Sequence, residues 1–527
     1  MPLSRVVDDH ARRRGDALAF AGDAARMTWS GYAERSDRVA QALLALGLPR
    51  GERVAVWIPD GPGVHAVYLG CEKAGLVVVG IGPRAGLREV RHLLVKSGAR
   101  ALVSRASHRD VDLAAFVAEE RRAGGALAHH LVVEGELEPG TRFALDGATV
   151  AAAGAPPPER ALADDELWLL NSTSGTTGLP KCVTHDQRRW LAFHRFAIRA
   201  GALDASDVFL SALPAPFGFG IWTAHVTPAL LGAPAVVCPR FDAADALAAI
   251  EAHHVTVLAA VSTQFILMLE ALDAAAPRPD LSSLRVLFTG GEAVPYEKAA
   301  RFEDATGARV LQFYGSNETG ALSCTTLADS REVRLRTAGH VIPEMSVRLF
   351  DDDGRDVTAS GRGQAGCRGP ATSRGYWNDA DGNAKLHTPD GWMLTGDVAE
   401  IDAAGVLRVV GRKADFIIRG GKNVSAAEVE AEVATHPAVA LAAAVAMPDP
   451  TFGERVCVYV ELRAGAALTL PELTAHLAGR ELGKESFPER LVVLSELPRA
   501  SGGKIAKAEL REDARRRAAE NPGAHAA

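Results

Sequence analysis

The stretch NSTSGTTGLPKCVTH, from Asn171 to His185, concentrates its chemistry in Thr173, Ser174, Gly175, Thr176, Thr177 and Gly178, followed by Lys181. Glycine and serine bury little surface, and glycine loses much backbone freedom on folding, so this run is a poor core element. It suits an anion. Closely spaced backbone N–H groups and hydroxyls can converge on phosphate oxygens, and the lysine adds a mobile positive charge. The pattern is not a Walker A loop, which needs Gly, four residues, then Gly-Lys-Ser/Thr; here Leu179 and Pro180 separate Gly178 from Lys181. Taken alone, the run fits an ordinary solvent loop equally well, so other residues must decide.

Four further stretches follow in order: FYGSNETG (313–320), GWMLTGD (391–397), GRKADFIIRGGKNVSAAEVE (411–430) and PRASGGKIAK (498–507). With the first, they resemble the ANL adenylate-forming enzymes, from about Ser4 to Arg511. That superfamily comprises acyl-CoA synthetases, the adenylation domains of nonribosomal peptide synthetases, and beetle luciferases. The resemblance implies two steps: a carboxylate attacks the α-phosphate of ATP to give acyl-AMP and pyrophosphate, then a thiol displaces AMP. Two anions must be held together while charge builds on the α-phosphate, which calls for a phosphate loop, a metal and a lysine.

By this resemblance, Thr173 to Lys181 grips the β- and γ-phosphates, and Glu318 binds Mg²⁺, a hard cation suited to oxygen ligands. Tyr314 stacks on adenine, while Gly290, Gly291 and Glu292 pass along the base and the acyl pocket, which Gly315 also borders. Asn317 stands where many relatives carry Thr, and its amide can donate a similar hydrogen bond to the α-phosphate. Asp397 accepts from the ribose hydroxyls, and Arg412 reaches the ribose at the domain junction. Ala414, between Lys413 and Asp415, occupies the position where relatives have a hinge Asp or Lys. Lys504 is the lysine that approaches the carboxylate and α-phosphate, in preference to Lys507; after a rotation, Gly420 and Gly421 would flank a pantetheine arm. The implied fold is α/β: a large N-terminal domain (1–411) of parallel-sheet subdomains with a small β-barrel-like subdomain, and a small, mobile α+β C-terminal domain (412–527).

The elements that must position these residues are legible in the pattern. YAERSDRVAQALLALG places Val39, Leu43 and Leu46 on one helical face and stops at Gly47, and RVAVWIP reads as a short strand ended by Pro59. The same helix-then-strand grammar recurs in AVYLGCEKAGLVVVGIGP and VRHLLVKSGARALVS, as expected of buried parallel strands. VTVLAAV and LRVLFTGG read as two more. The segment from about Arg121 to Asp164 reads as a long surface connection, and the last residues, RRRAAENPGAHAA, as a frayed tail.

For the acid, the segment LPAPFGFGIWTAH offers apolar surface in Phe217, Phe219 and Trp222, with space at Gly218 and Gly220. It lacks the Asp that pairs with the α-ammonium in amino-acid-activating relatives, and the His-Asn pair of hydroxybenzoate-activating ones. A largely apolar carboxylic acid is the expectation, with ATP, Mg²⁺ and CoA as co-substrates and cofactor. A carrier-protein phosphopantetheine acceptor, a luciferase-like oxidation of the adenylate, and non-catalytic nucleotide binding stay open, as does the oligomeric state. A net charge of −7 argues against a nucleic-acid partner. The six cysteines form no CxxC pair and suggest neither a zinc site nor a disulfide framework. No apolar run reaches membrane-spanning length, and a reducing cytoplasm is the expected location.

Overall fold

The computed structural model describes residues 1–22, 26–135, 137, 141–152, 154–173, 180–292, 294–419, 422–480, 486–499 and 504–520. Two large mixed sheets form the body. In one, five parallel strands lie in the order His129–Val133, Ala101–Ser104, Arg53–Trp57, Val77–Gly80 and Leu169–Ser172, and Cys182–His185 closes that edge antiparallel. In the other, the parallel strands include Phe209–Ser211, Val257–Ala259, Val286–Gly290 and Arg309–Ser316, with Gly320–Cys324 antiparallel beyond them. Helix Trp29–Leu44 buries Val39 and Leu43 as the periodicity predicts, and Pro62–Lys73 and Leu87–Ser97 precede their strands as read.

Two expectations need correction. Residues 121–164 are not merely a connection. His129–Val133, Phe143–Leu145 and Ala148–Val150 extend the first sheet because Leu131, Val133 and Phe143 are buried in the main apolar cluster. Nor is Arg515–Glu520 frayed: it continues helix Lys507–Glu520, whose Leu510 and Ala514 are buried. The surrounding Ala and Arg are good helix formers that the tail-like composition disguised.

The expected barrel-like subdomain is a four-stranded antiparallel sheet, Ser346–Phe350, Arg362–Arg368, Met393–Ile401 and Leu407–Arg412. Beyond it, the 3₁₀ turn Lys413–Asp415 leads into a smaller α+β unit. This unit holds strands Phe416–Arg419, Val439–Asp449, Gly453–Leu462 and Arg490–Leu494, covered by Ala426–Val433, Leu470–Ala478 and Lys507–Glu520. One apolar cluster contains residues of both the body (Phe265, Leu269, Phe302) and the C-terminal unit (Leu441, Val445, Tyr459). The large domain and the small one are thus packed together in this structure.

Candidate active site

The ends of the glycine-rich run are held by a hairpin: Leu169–Ser172 pairs with Cys182–His185, and the Thr173 N–H donates to the Lys181 carbonyl at 3.1 Å. Ser174, Gly175, Thr176, Thr177 and Gly178 lie outside the described residues, as do Gly420 and Gly421. Lys181 emerges from the hairpin with its Nζ 4.3 Å from the centre of the Tyr376 ring. The Tyr376 hydroxyl in turn donates to Glu318 Oε1 at 2.8 Å. One tyrosine therefore joins the loop lysine to the candidate metal-binding carboxylate.

Glu318 sits in the turn between strands Arg309–Ser316 and Gly320–Cys324, and its backbone carbonyl accepts from the Ser373 N–H at 2.7 Å. Among the described residues no group of three His, Cys, Asp or Glu side chains converges as a metal cage. A carboxylate such as Glu318, held by Tyr376, suits Mg²⁺, which is commonly bound by one or two carboxylates plus substrate phosphates and water.

Tyr314 lies on the same strand. Its hydroxyl donates to Asp397 Oδ2 at 3.0 Å and lies 3.3 Å from Thr395 Oγ1. Asp397 stands opposite Arg412 in the antiparallel register, and Arg412 Nε donates to Asp397 Oδ1 at 3.2 Å. Burial raises the Asp397 carboxyl above its ordinary value, while Arg412 opposes that shift. An acceptor pair of oxygens is thus held on an inner strand of the four-stranded sheet, beside an aromatic ring.

Lys504 reaches this region from the C-terminal unit. Its Nζ donates to the Gly291 carbonyl at 2.8 Å. Burial lowers the ammonium from the ordinary lysine value; Glu292, Asp397 and Glu318 counter the shift, and Arg412 adds to it. Glu292 is raised chiefly by burial and countered by Lys504, and its Oε1 accepts from the Thr263 N–H at 3.4 Å. Lys507 is engaged elsewhere, 2.7 Å from Glu430, and belongs to the interior of the C-terminal unit. At the junction, Lys413 pairs with Asp352 of the body at 2.6 Å, while Asp415 pairs with Arg511 of the C-terminal unit.

The acyl segment divides into lining and backing. Phe217, Gly218 and Phe219 are partly exposed, and a Cβ added at Gly218 would meet only Asn317 Oδ1, at 3.9 Å. Trp222 has no exposed surface; it is packed edge-on against Phe193, Phe288 and Phe313, so it backs the segment rather than lining it. Gly220 offers no space either, since a Cβ there would lie 2.4 Å from the Leu213 carbonyl oxygen. Gly290 and Gly315 are required by close backbone approach: added Cβ atoms would lie 2.1 Å from the Phe313 carbonyl oxygen and 1.8 Å from that of Gly320. They shape the strand ends and admit no side chain.

Sequence reasoning missed four polar residues here. Asn171 Nδ2 lies 3.3 Å from Asn317 Oδ1, His185 Nε2 lies 2.7 Å from Asn171 Oδ1, and Arg189 Nη1 lies 3.0 Å from His185 Nδ1. Asn171 and His185 were visible as polar residues within apolar hairpin strands. Arg189 carried no local signal, and neither did Tyr376.

Residues 7–377 match the family model described as AMP-binding enzyme, and residues 428–504 match that of the AMP-binding enzyme C-terminal domain. The chain belongs to the ANL superfamily of adenylate-forming enzymes. Among relatives of this adenylate-forming enzyme, a salicylyl-CoA synthase / salicylate adenylyltransferase of a Streptomyces species is 33% identical, spanning 98% of this chain and 94% of its own. A salicyl-AMP ligase / salicyl-S-ArCP synthetase of Mycobacterium tuberculosis is 34% identical, over 96% and 89%. The crystal structure of ATP-bound MatB from Rhodopseudomonas palustris superposes with a TM-score of 0.82 at 25% identity, covering 97% of this chain and 98% of its own. The adenylate-forming enzyme is accordingly an ATP-binding, AMP-forming ligase that acts on a carboxylic acid. No helix of its described residues is long and apolar enough to cross a membrane.

Proposed function

We propose that this enzyme is an acid–thiol ligase that activates a largely apolar carboxylic acid as acyl-AMP and passes the acyl group to CoA. The observation that carries the reading is Lys504: a lysine from the C-terminal unit, bonded to the Gly291 carbonyl, feels the charges of Glu292, Asp397 and Glu318 together. A fixed positive charge at that point can stabilise the negative charge that builds as a carboxylate attacks a phosphate, at little reorganisation cost. Asp397 would accept from the ribose hydroxyls, Tyr314 would face the adenine, and Thr173 to Lys181 would hold the phosphates. Glu318, oriented by Tyr376, would hold Mg²⁺, whose positive charge would offset that of the phosphates.

The acid's apolar part would lie against Phe217, Gly218 and Phe219, with Trp222 and its ring neighbours as a rigid floor. No carboxylate stands on that segment to pair with an α-ammonium, and an unpaired buried ammonium carries a desolvation penalty of several kcal/mol. The C-terminal unit, 412–527, would swing about the Lys413–Asp415 turn between half-reactions, bringing Gly420 and Gly421 to the thiol.

A second reading keeps the adenylation and changes the acceptor to a carrier-protein phosphopantetheine; the Mycobacterium relative is named as a salicyl-S-ArCP synthetase. ATP–pyrophosphate exchange across a panel of aryl, arylalkyl, medium-chain and α-amino acids, followed by mass spectrometry with CoA or a carrier protein, tests both. Exchange with apolar acids and an acyl-CoA product is expected. Exchange confined to α-amino acids removes the pocket assignment, and acylation of the carrier protein alone selects the second reading.

A further inference from the structure

Between the acyl segment and the phosphate hairpin runs a chain of hydrogen bonds whose direction can be worked out from its ends. Arg189 is buried and can only donate. Its Nε donates to the Ala371 carbonyl at 3.0 Å, its Nη2 to the Asn317 carbonyl at 2.8 Å, and its Nη1 to His185 Nδ1 at 3.0 Å. His185 must therefore carry its proton on Nε2, and burial with the Arg189 charge beside it keeps the ring neutral. Nε2–H then donates to Asn171 Oδ1 at 2.7 Å.

The other end agrees independently. Asn171 Nδ2 lies 3.1 Å from the Pro216 carbonyl oxygen, which can only accept. A flipped Asn171 would set its oxygen against that carbonyl and its NH₂ against the histidine N–H, two repulsive contacts at once. With Asn171 fixed, its second amide hydrogen points to Asn317 Oδ1 at 3.3 Å, so Asn317 must turn its own NH₂ the other way. There Nδ2 has only a long approach, 3.5 Å, to the Ser172 carbonyl at the root of the phosphate loop. On the neighbouring side stands Gly218, which has no side chain to cover Asn317.

We propose that Arg189, His185 and Asn171 are positioning residues that turn the Asn317 amide so that its N–H donates to an oxyanion, a carboxylate or α-phosphoryl oxygen, at the meeting of the acyl segment and the phosphate loop. The inference deepens the adenylating reading and rests on it. A rotatable amide left to itself presents oxygen or nitrogen to the site with comparable ease, and the oxygen would repel both substrates. The relay removes that choice before the substrates arrive, and the weak Ser172 bond is surrendered at little cost when an anion binds. It also accounts for a buried guanidinium that bonds no carboxylate among the described residues, since its contacts with Ala371, Asn317 and His185 all go to groups that frame the same site.

The test is ATP–pyrophosphate exchange with the acid that the wild type uses fastest in the panel above. Asn171→Asp, which can no longer donate to Asn317, is expected to lower kcat for exchange by about 10- to 100-fold, less than the ~10²- to 10³-fold of a donor lost outright because the Asn317 amide is misdirected and not removed, while the KM for ATP changes little. Because the effect runs through Asn317, the double variant Asn171→Asp/Asn317→Ala should be no slower than Asn317→Ala alone. His185→Gln, whose amide can still donate to Asn171, should retain more activity than His185→Leu; this pair probes the relay from its far end if Asn171→Asp does not fold. Independent, multiplying losses in the double variant, an unchanged kcat in Asn171→Asp, or equal losses in the two His185 variants overturn the relay. Wild-type protein that exchanges with no acid in the panel overturns the adenylating reading beneath it, a result distinct from active wild type with unaffected variants.

Discussion

Tyr376 shows how one side chain can serve two charges that lie far apart in the chain. Its ring supports Lys181 and its hydroxyl holds Glu318, and burial together with Glu318 raises its ionisation so that the phenol stays a donor. Tyr376→Phe keeps the ring and removes the donor, so the Mg²⁺ concentration for half-maximal pyrophosphate exchange should rise by about 10-fold, as for loss of other groups that orient a metal ligand. A Mg²⁺ titration of the exchange rate checks this; an unmoved midpoint reduces Tyr376 to a packing residue. Glu72 is fully buried, and burial lifts its carboxyl to about 7 against bonds from Ser4 and Gln187 that pull it down. The folded state then holds a proton that the unfolded state releases, so this group costs stability as pH rises from about 4.5 to about 7. Glu72→Gln should raise the apparent Tm at pH 8 by on the order of a few degrees and much less at pH 5, read by scanning calorimetry at both. Lys181, Glu318, Asp397 and Lys504 could be named as candidates from the sequence because each sits in a contiguous motif. Tyr376 and Arg189 could not, because their meaning lies in partners 58 and 128 positions away.

At the scale of elements, the strand end Val286–Gly290 and the turn after it decide where Lys504 can rest. Gly291 has φ +80°, and a Cβ there would lie 2.5 Å from Lys504 Nζ. Gly291→Ala should therefore displace the ammonium and strain the turn, lowering acyl-AMP formation by about 10-fold while sparing reaction of supplied acyl-AMP with the thiol. Single-turnover assays of each half-reaction check it; equal losses would mean that the turn itself has collapsed. The strands that carry the site could be read because continuous Val, Leu and Ile runs have few other homes than a buried parallel sheet. Residues 129–150 escaped because their strands are short and sit at a sheet edge, where half the positions face solvent, and Ala and Gly around them blur the alternation. Helix Lys507–Glu520 escaped for the opposite reason, since charge on most of its surface leaves Leu510 and Ala514 as its only buried anchors.

For the whole molecule, the lysine and the nucleotide groups come from different domains, so the proposed reaction depends on how those domains meet. Lys504→Ala should depress acyl-AMP formation by on the order of 10²-fold, yet leave transfer from supplied acyl-AMP to the thiol near the wild-type rate. Rapid-quench measurement of both steps decides it, and equal losses would remove Lys504 from its role. The two domains and their order were visible in the motifs, but their packing was not, because no local pattern marks which apolar residues meet across the far reaches of a chain. The ion pairs flanking Ala414 are each confined to one side: Lys413 with the body, Asp415 with the C-terminal unit. Across the seam run the Lys504 bond to Gly291, an Arg463–Glu270 pair at 3.6 Å, and the apolar cluster joining Phe265, Leu269 and Phe302 to Leu441, Val445 and Tyr459. Any rotation that separates those side chains wets hydrocarbon, and wetting hydrocarbon raises heat capacity. The docked arrangement should therefore loosen in the cold, so that an Arrhenius plot of turnover bends instead of running straight, with the thiol step favoured at low temperature and adenylation at high.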